Sequence, residues 1–152
     1  MQATSSIPKI TMHIIANNSI HTRASAQNDR FFGENGAAEP EMGTIDIAGD
    51  IDPRTVNLEG VKRINLHFPK FTDGRAYSQA FLLRRRLNFK GEIRANGDVL
   101  IDQLVQMQRS GFDAAVLRAD QDLADAQCQF ARFSAFYQGD AVTTNPHFQV
   151  AP

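Results

Sequence analysis

The chain has 152 residues, enough for one domain with its own core, and 42% of them are apolar, eleven of those being Phe. Sixteen basic against seventeen acidic residues leave a formal net charge of −1, so nothing in the charge balance draws the protein to nucleic acid or to an anionic membrane. The single cysteine, Cys128, excludes an internal disulfide and a Cys-x-x-Cys redox or zinc pair, and it points to a reducing compartment.

No apolar run approaches the ~20 residues of a membrane span. Residues 1–9 lack the basic-then-apolar order of a signal peptide, so the expectation is a cytoplasmic chain. Residues 1–6 are small and polar and should fray. Residues 7–15 carry Ile10, Met12, Ile14 and Ile15 and fit a strand. Asn17 and Asn18 suggest a turn. Residues 28–42 hold Gly33, Gly36 and Pro40 among acids and read as a loop that Phe31 and Phe32 could pin to the body. Residues 43–48 alternate Ile45 and Ile47 with polar neighbours, as a short strand does. Asp52 followed by Pro53 is an N-cap with proline at the first helical position, opening a short helix that ends near Gly60.

A regular pattern follows. Residues 64–68 form an apolar strand pattern. Residues 75–87 place Ala76, Ala80, Leu83 and Leu87 at helical spacing, with Tyr77 and Phe81 beside them. After a return loop, residues 92–95 read as a strand, Asn96-Gly97-Asp98 as turn and cap, and 99–109 as a helix with Leu100, Leu104 and Met107 on one face. Gly111 is a left-handed stop. Residues 114–117 are a further strand. Asp120 or Asp122 then caps a helix whose stripe is Leu123, Ala126, Phe130, Phe133 and Tyr137, and a polar tail follows Gly139.

This alternation predicts an α/β fold of consecutive β-α units around a small parallel sheet, either open or a half-barrel. The irregular N-terminal region, 1–60, packs on the same domain as the core, 61–140, and 141–152 form the tail. A sheet this small leaves an edge to cover, so a homo-oligomer is expected.

Ligands of parallel α/β sheets bind at the loops beyond the carboxyl ends of the strands. The stretch Phe-Pro-Lys-Phe-Thr-Asp-Gly at 68–74 sits where strand passes to helix. There Lys70, Thr72, Asp73, Gly74 and Arg75, with Arg94, Gly97 and Gln103 of the next unit, could cradle a small oxyanion at a helix N-terminus. The plainer reading is that Asp73 and Asp98 are ordinary caps, that Arg94 pairs with one of them and that Lys70 is solvated. Asp98 and Asp102, four apart, are weak acid/base candidates, and a cap plus a dipole-favoured acid explains them equally. Tyr77 and Tyr137 offer donors to a ligand but fit core-edge positions. Arg84, Arg85 and Arg86 read as a solvated face or as a docking patch for an acidic partner. His67 stands beside the motif, but no histidine pair has metal-ligand spacing, and Cys128 falls beside a helical stripe. No Gly-x-Gly-x-x-Gly appears, and no cofactor is evident.

The run 68–75, followed by Tyr77-Ser78, Leu82-Leu83-Arg84, Lys90-Gly91-Glu92, Arg94-Ala95, Gly97-Asp98-Val99-Leu100, Asp102-Gln103-Leu104 and Gly111-Phe112-Asp113-Ala114, resembles a bacterial domain family of unknown function. Phe133-Ser134 and Tyr137-Gln138 extend the likeness, which runs from about Ile64 to Phe148. The family's genes tend to lie in sulfate-assimilation operons beside sulfite reductase, and its members are often labelled oxidoreductases of sulfite reduction. The resemblance carries no catalytic residue. This chain has Ala76 where the family has Gly, Arg85 where it has an acid and Ile101 where it has Arg, and it ends without the family's Arg-rich run.

The resemblance implies an accessory protein of sulfite reduction that binds a small oxyanion or the sulfite-reducing enzyme. The alternatives are a small oxidoreductase or lyase acting on an anionic substrate, with Asp98 or Asp102 as acid/base, and a non-catalytic oligomeric scaffold.

Overall fold

The computed structural model describes residues 12–16, 42–133 and 135–149. Five strands, β1 (His13–Ala16), β2 (Thr44–Ile47), β3 (Arg63–Phe68), β4 (Glu92–Gly97) and β5 (Ala114–Leu117), form one sheet in the order β1-β5-β4-β3-β2, with every neighbouring pair parallel. The α/β class and the parallel sheet are as the sequence predicts. The sheet is open, with β1 and β2 at its edges. The expected loop over 28–42, save Met42 at its end, the turn at Asn17 and the frayed residues 1–6 lie outside the described residues.

From β2 to β5 each strand lies beside its predecessor, so the crossovers all step in one direction. Right-handed crossovers that step one way stack their helices on one face. That face carries α1 (Arg75–Arg85), α2 (Leu104–Ser110) and α3 (Leu123–Ala131), with α1 against β3 and α2 between its two neighbours. Side chains alternate along a strand, so Ile64, Leu66 and Phe68 of β3, Ile93 and Ala95 of β4, and Ala115 and Leu117 of β5 meet Ala76, Ala80, Leu83, Leu104 and Met107 in one core. Burying a Leu, Ile or Phe of this kind contributes about 1.5–3 kcal/mol. The ring of Phe68 meets Tyr77 edge-on at 5.3 Å and lies 5.9 Å from Phe112.

The opposite face carries polar residues in register. Asp46, Asn65 and Arg94 stand side by side, and Asn65 Nδ2 donates to Asp46 Oδ1 at 2.9 Å. Glu92 accepts from Arg94 Nε at 2.7 Å and pairs with Arg63 at 3.1 Å. The strand predicted over 92–95 runs on to Gly97, so Arg94 lies buried in mid-strand instead of leading into the loop.

Four helices are shorter than the pattern suggested, α1 stopping at Arg85 and the one opened by Pro53 at Thr55. In place of a helix over 99–109, Val99 and Leu100 stay outside the helix, a 3-10 turn covers Ile101–Gln103, and α2 begins at Leu104. Asp98 is not its cap, because its carboxylate is used elsewhere. The last helix stops at Ala131 rather than running through Tyr137. Phe133 and Tyr137 are exposed and so are not part of a buried stripe. Asp122 caps that helix, its Oδ1 accepting from Ala124 N and Asp125 N. The proline start at Pro53 holds as a 3-10 turn capped by Asp52. Gly111 ends α2 with φ 110°.

Arg84 is a brace, contrary to the solvated face expected of the 84–86 run. From α1 it donates to the carbonyls of Gly111, Phe89 and Gly91, each at 2.8 Å, and it pairs with Asp113, whose carboxylate also accepts Ile93 N at 2.8 Å. Arg85 and Arg86 are exposed. Replacing Arg84 by Ala orphans these carbonyls and should cost about 2–3 kcal/mol. Urea denaturation of Arg84→Ala checks this, with Arg85→Ala expected to lie within about 0.5 kcal/mol of the parent chain.

Candidate functional site

The carboxyl edge of the sheet gathers four loops: that after β2, the 68–74 stretch after β3, and those after β4 and β5. Phe71 lies at the tip of the 68–74 stretch. Its ring is 48% exposed, yet its backbone is fixed on both sides. Asp98 Oδ2 accepts Phe71 N at 2.8 Å, and Gln103 Nε2 donates to Phe71 O at 2.7 Å. Asp98 can reach because Gly97 takes φ 95°, and a Cβ there would collide with the Phe68 carbonyl. The result is an apolar ring held out to solvent on an ordered loop.

Asp98 also accepts from Arg118 Nη1 at 2.8 Å, and Arg118 forks onto both oxygens of Asp120. Gln121 Oε1 accepts Ile101 N at 3.0 Å, so the loop after β5 is tied to the turn before α2. On the other flank Arg75 forks onto Asp73 and its guanidinium lies against Gly49 of the β2 loop; Asp73 first and the nearby Asp50 charge last favour its protonated form. Gln79 Nε2 donates to the carbonyls of Ala48 and Ile51 at 2.7 and 2.8 Å and fixes that loop to α1.

The predicted cradle residues are thus only partly together. Lys70, Thr72, Asp73, Gly74 and Arg75 share one loop with Phe71, and Gly97, Asp98 and Gln103 buttress it. Arg94 lies on the polar sheet face and takes no part. Lys70 is exposed, and while its carbonyl accepts from Asp73 N at 2.9 Å, its side chain makes no hydrogen bond or ion pair among the described residues. Thr72 and Gly74 are exposed, and Gly74 occupies the N-cap of α1. Asp102 is exposed too, and it does not share a helix face with Asp98, since the helix begins after both. Tyr77 packs against Phe68 and Phe112. Burial first, and the Asp102 charge second, push its hydroxyl up to about 12, so it remains a neutral donor. Tyr137, Cys128 and His147 are exposed and outside this edge, and His67 faces Asn96 at 3.2 Å.

Charge decides what this edge suits. Asp50, Asp73, Asp98, Asp102, Asp120 and Asp122 outnumber Lys70, Arg75 and Arg118, and both arginines are already bidentate to carboxylates. Among the described residues no group of three or more His, Cys, Asp or Glu side chains stands as metal ligands would. A cleft of about 160 Å³ lined by Met42, Thr44, Lys62, Arg63 and Glu92 opens at the amino end of β2 and β3. It is smaller than the ~300–1,000 Å³ of small-molecule pockets. Sequence reasoning missed Arg118, Gln121 and Gln79. Apart from Asp120 beside Arg118, the partners that tie them to other loops are 20 to 31 residues away, and no local pattern marks them.

The fold and this edge define a small open-sheet α/β protein with an ordered, acid-rich loop surface around one exposed aromatic. The chain belongs to a bacterial protein family of unknown function (DUF934), whose model matches residues 44–148, from β2 into the tail. No curated protein and no solved structure matches the chain.

The bidentate arginines hold Asp73 and Asp120 down to about 2, chiefly through side-chain hydrogen bonds. Asp98 is lowered first by the Phe71 amide and then by Arg118. A carboxyl group lowered in the folded state stabilises it fully above the ordinary value near 3.8, and that contribution disappears as pH falls toward 2. The thermal midpoint should therefore drop between pH 4 and 2, and the drop should be shallower in Asp120→Asn. Scanning calorimetry across that range reads both.

Proposed function

We propose that the protein is a non-catalytic accessory subunit of assimilatory sulfite reduction. It docks the sulfite-reducing enzyme through the carboxyl-edge loops, with Phe71 as the anchor. The pathway rests on the resemblance of residues 64–148 to a family encoded beside sulfite reductase. One observation carries the mode of action: Phe71 is exposed while its amide and carbonyl are both held by side chains from the next loop. An aromatic residue whose backbone is already fixed loses less entropy on burial, and aromatic side chains are common anchors of protein interfaces.

The acidic excess around the ring fits a basic patch on the partner and disfavours a free oxyanion. Long-range attraction of this kind raises the association rate and is screened by salt. The two arginines suited to clamp an oxyanion are occupied by Asp73, Asp98 and Asp120, which leaves Lys70 alone for that role. The same pairing argues against acid/base catalysis by Asp98.

Biolayer interferometry against the purified assimilatory sulfite reductase haemoprotein tests the reading. Binding should appear, weaken between 50 and 300 mM salt on the order of a Debye-screened contact, and fall at least about tenfold in Phe71→Ala. Lys70→Ala should change it little. Absence of binding by the unaltered chain, or undiminished binding by Phe71→Ala, overturns it. A thermal shift with sulfite or sulfate that Lys70→Ala abolishes would favour the oxyanion instead.

A further inference from the structure

A second exposed apolar surface lies at the opposite edge of the sheet. Beyond α3 the chain turns back beneath α2. Arg109, at the end of α2, anchors it: Nε pairs with Asp140 at 3.3 Å, Nη2 donates to Gln138 O at 3.1 Å, and the guanidinium lies 4.2 Å from the centre of the Phe136 ring. The amide of Ala141 donates to Arg109 O at 3.0 Å, Asp140 Oδ1 accepts from Val142 N and Thr143 N, and His147 N donates to Tyr137 O. Despite this anchoring, Phe133 is 58% exposed, Phe136 36%, Tyr137 66% and Phe148 65%. The rings pair, Phe133 with Phe136 at 5.8 Å and Tyr137 with Phe148 at 5.9 Å, and the pairs adjoin at the 136–137 peptide. This surface takes no part in the edge around Phe71.

We propose that this aromatic surface is a homodimer interface, its occupant the same surface on a second copy of the chain. Three observations commit it to that occupant. The first is charge. Arg109 and Asp140, the charged pair that anchors the patch, neutralise each other, so that pair sets up no like-charge repulsion between two copies meeting face to face. A strongly charged partner would find no complement there. The second is geometry. Both ring pairs are tilted, at 47° and 40°, and expose ring faces and edges together, so the same rings of a second copy can pack edge-to-face against them about a two-fold axis. The third is area. At about 150–250 Å² per aromatic side chain, the four exposed fractions present roughly 450 Å² on each copy. Two copies then bury roughly 900 Å² from the rings alone, above the ~800 Å² typical of crystal contacts, and the flanking residues carry it toward the ~1,200 Å² of specific interfaces. The dimer is of modest affinity and leaves the two Phe71 edges pointing apart.

Sedimentation velocity of the full chain from about 1 to 200 μM, which spans the range expected of small interfaces, provides the test. Monomer should give way to dimer across that range. Double electron–electron resonance between spin labels on Cys128, two turns or less from the tail and exposed, should show an intermolecular distance that grows in with concentration. The triple variant Phe133→Ser, Tyr137→Ser, Phe148→Ser should remain monomeric with an unchanged circular dichroism spectrum. Should that variant fail to fold, Tyr137→Ser alone, at the most exposed ring, carries the test by weakening the dimer at least about fivefold. A chain that stays monomeric throughout overturns the proposal. So does a dimer that survives these substitutions, which would place the contact at a sheet edge. Neither result bears on binding through Phe71, which is read separately.

Discussion

One guanidinium holds the amino edge of this protein together. Arg84 leaves α1 and satisfies three main-chain carbonyls, one at the end of α2 and two in the return to β4, while its ion pair with Asp113 fixes the approach to β5. In a parallel sheet every return from helix to strand exposes carbonyls at this edge, and a buried carbonyl without a donor is costly. One planar fork with several donors meets that need for two successive crossovers. The ring of Phe89 lies beside the same group, 5.9 Å from its centre, and Gly111 passes close against its stem. The spacing of α1, α2 and the strands between them depends on this contact.

The carboxyl edge solves the complementary problem with carboxylates. Asp98 gathers the Phe71 amide and Arg118, Gln103 takes the Phe71 carbonyl, and Gln121 takes the Ile101 amide. Each interaction links consecutive loops, so the edge is ordered by side chains rather than by further secondary structure. The consequence for function is a separation of roles. Polar groups that a sequence reader would assign to a ligand are used to hold the loop, and what remains presented is an aromatic ring, an unpaired lysine and an acidic surround.

The same economy explains why helix lengths differ from their sequence patterns. Leu100 and Ile101 sit at helical spacing with Leu104, but the carboxyl-edge loop holds Asp98 and Val99 out of the helix: Val99 N donates to Gly97 O at 3.0 Å across a tight turn at Asp98, and Val99 O accepts from Arg118 N at 3.1 Å. Tertiary pairing outweighs a propensity of a few tenths of a kcal/mol per residue. At the other end, Phe133 and Tyr137 continue the periodicity of α3, yet past Ala131 there is no sheet left to cover, and Arg109 draws the chain away instead.

What the amino-acid sequence determined by itself is the class of fold and the place of its elements. Alternating Ile64, Leu66 and Phe68, the helical spacing of Ala76, Ala80 and Leu83, Gly111 as a stop and Asp122 as a cap are local signals, because strand alternation, helix periodicity and capping act over a few residues. Only the tertiary structure decided which polar residues are free. That Arg84 is a brace and not a solvated charge, that Arg94 stands beside Asn65 on the sheet face and away from the 68–74 stretch, and that Asp98 holds Phe71 out to solvent depend on partners 20 or more residues distant. Those partners are set by strand order and register, which no short stretch of sequence encodes, since pairing across a parallel sheet is a property of the whole chain.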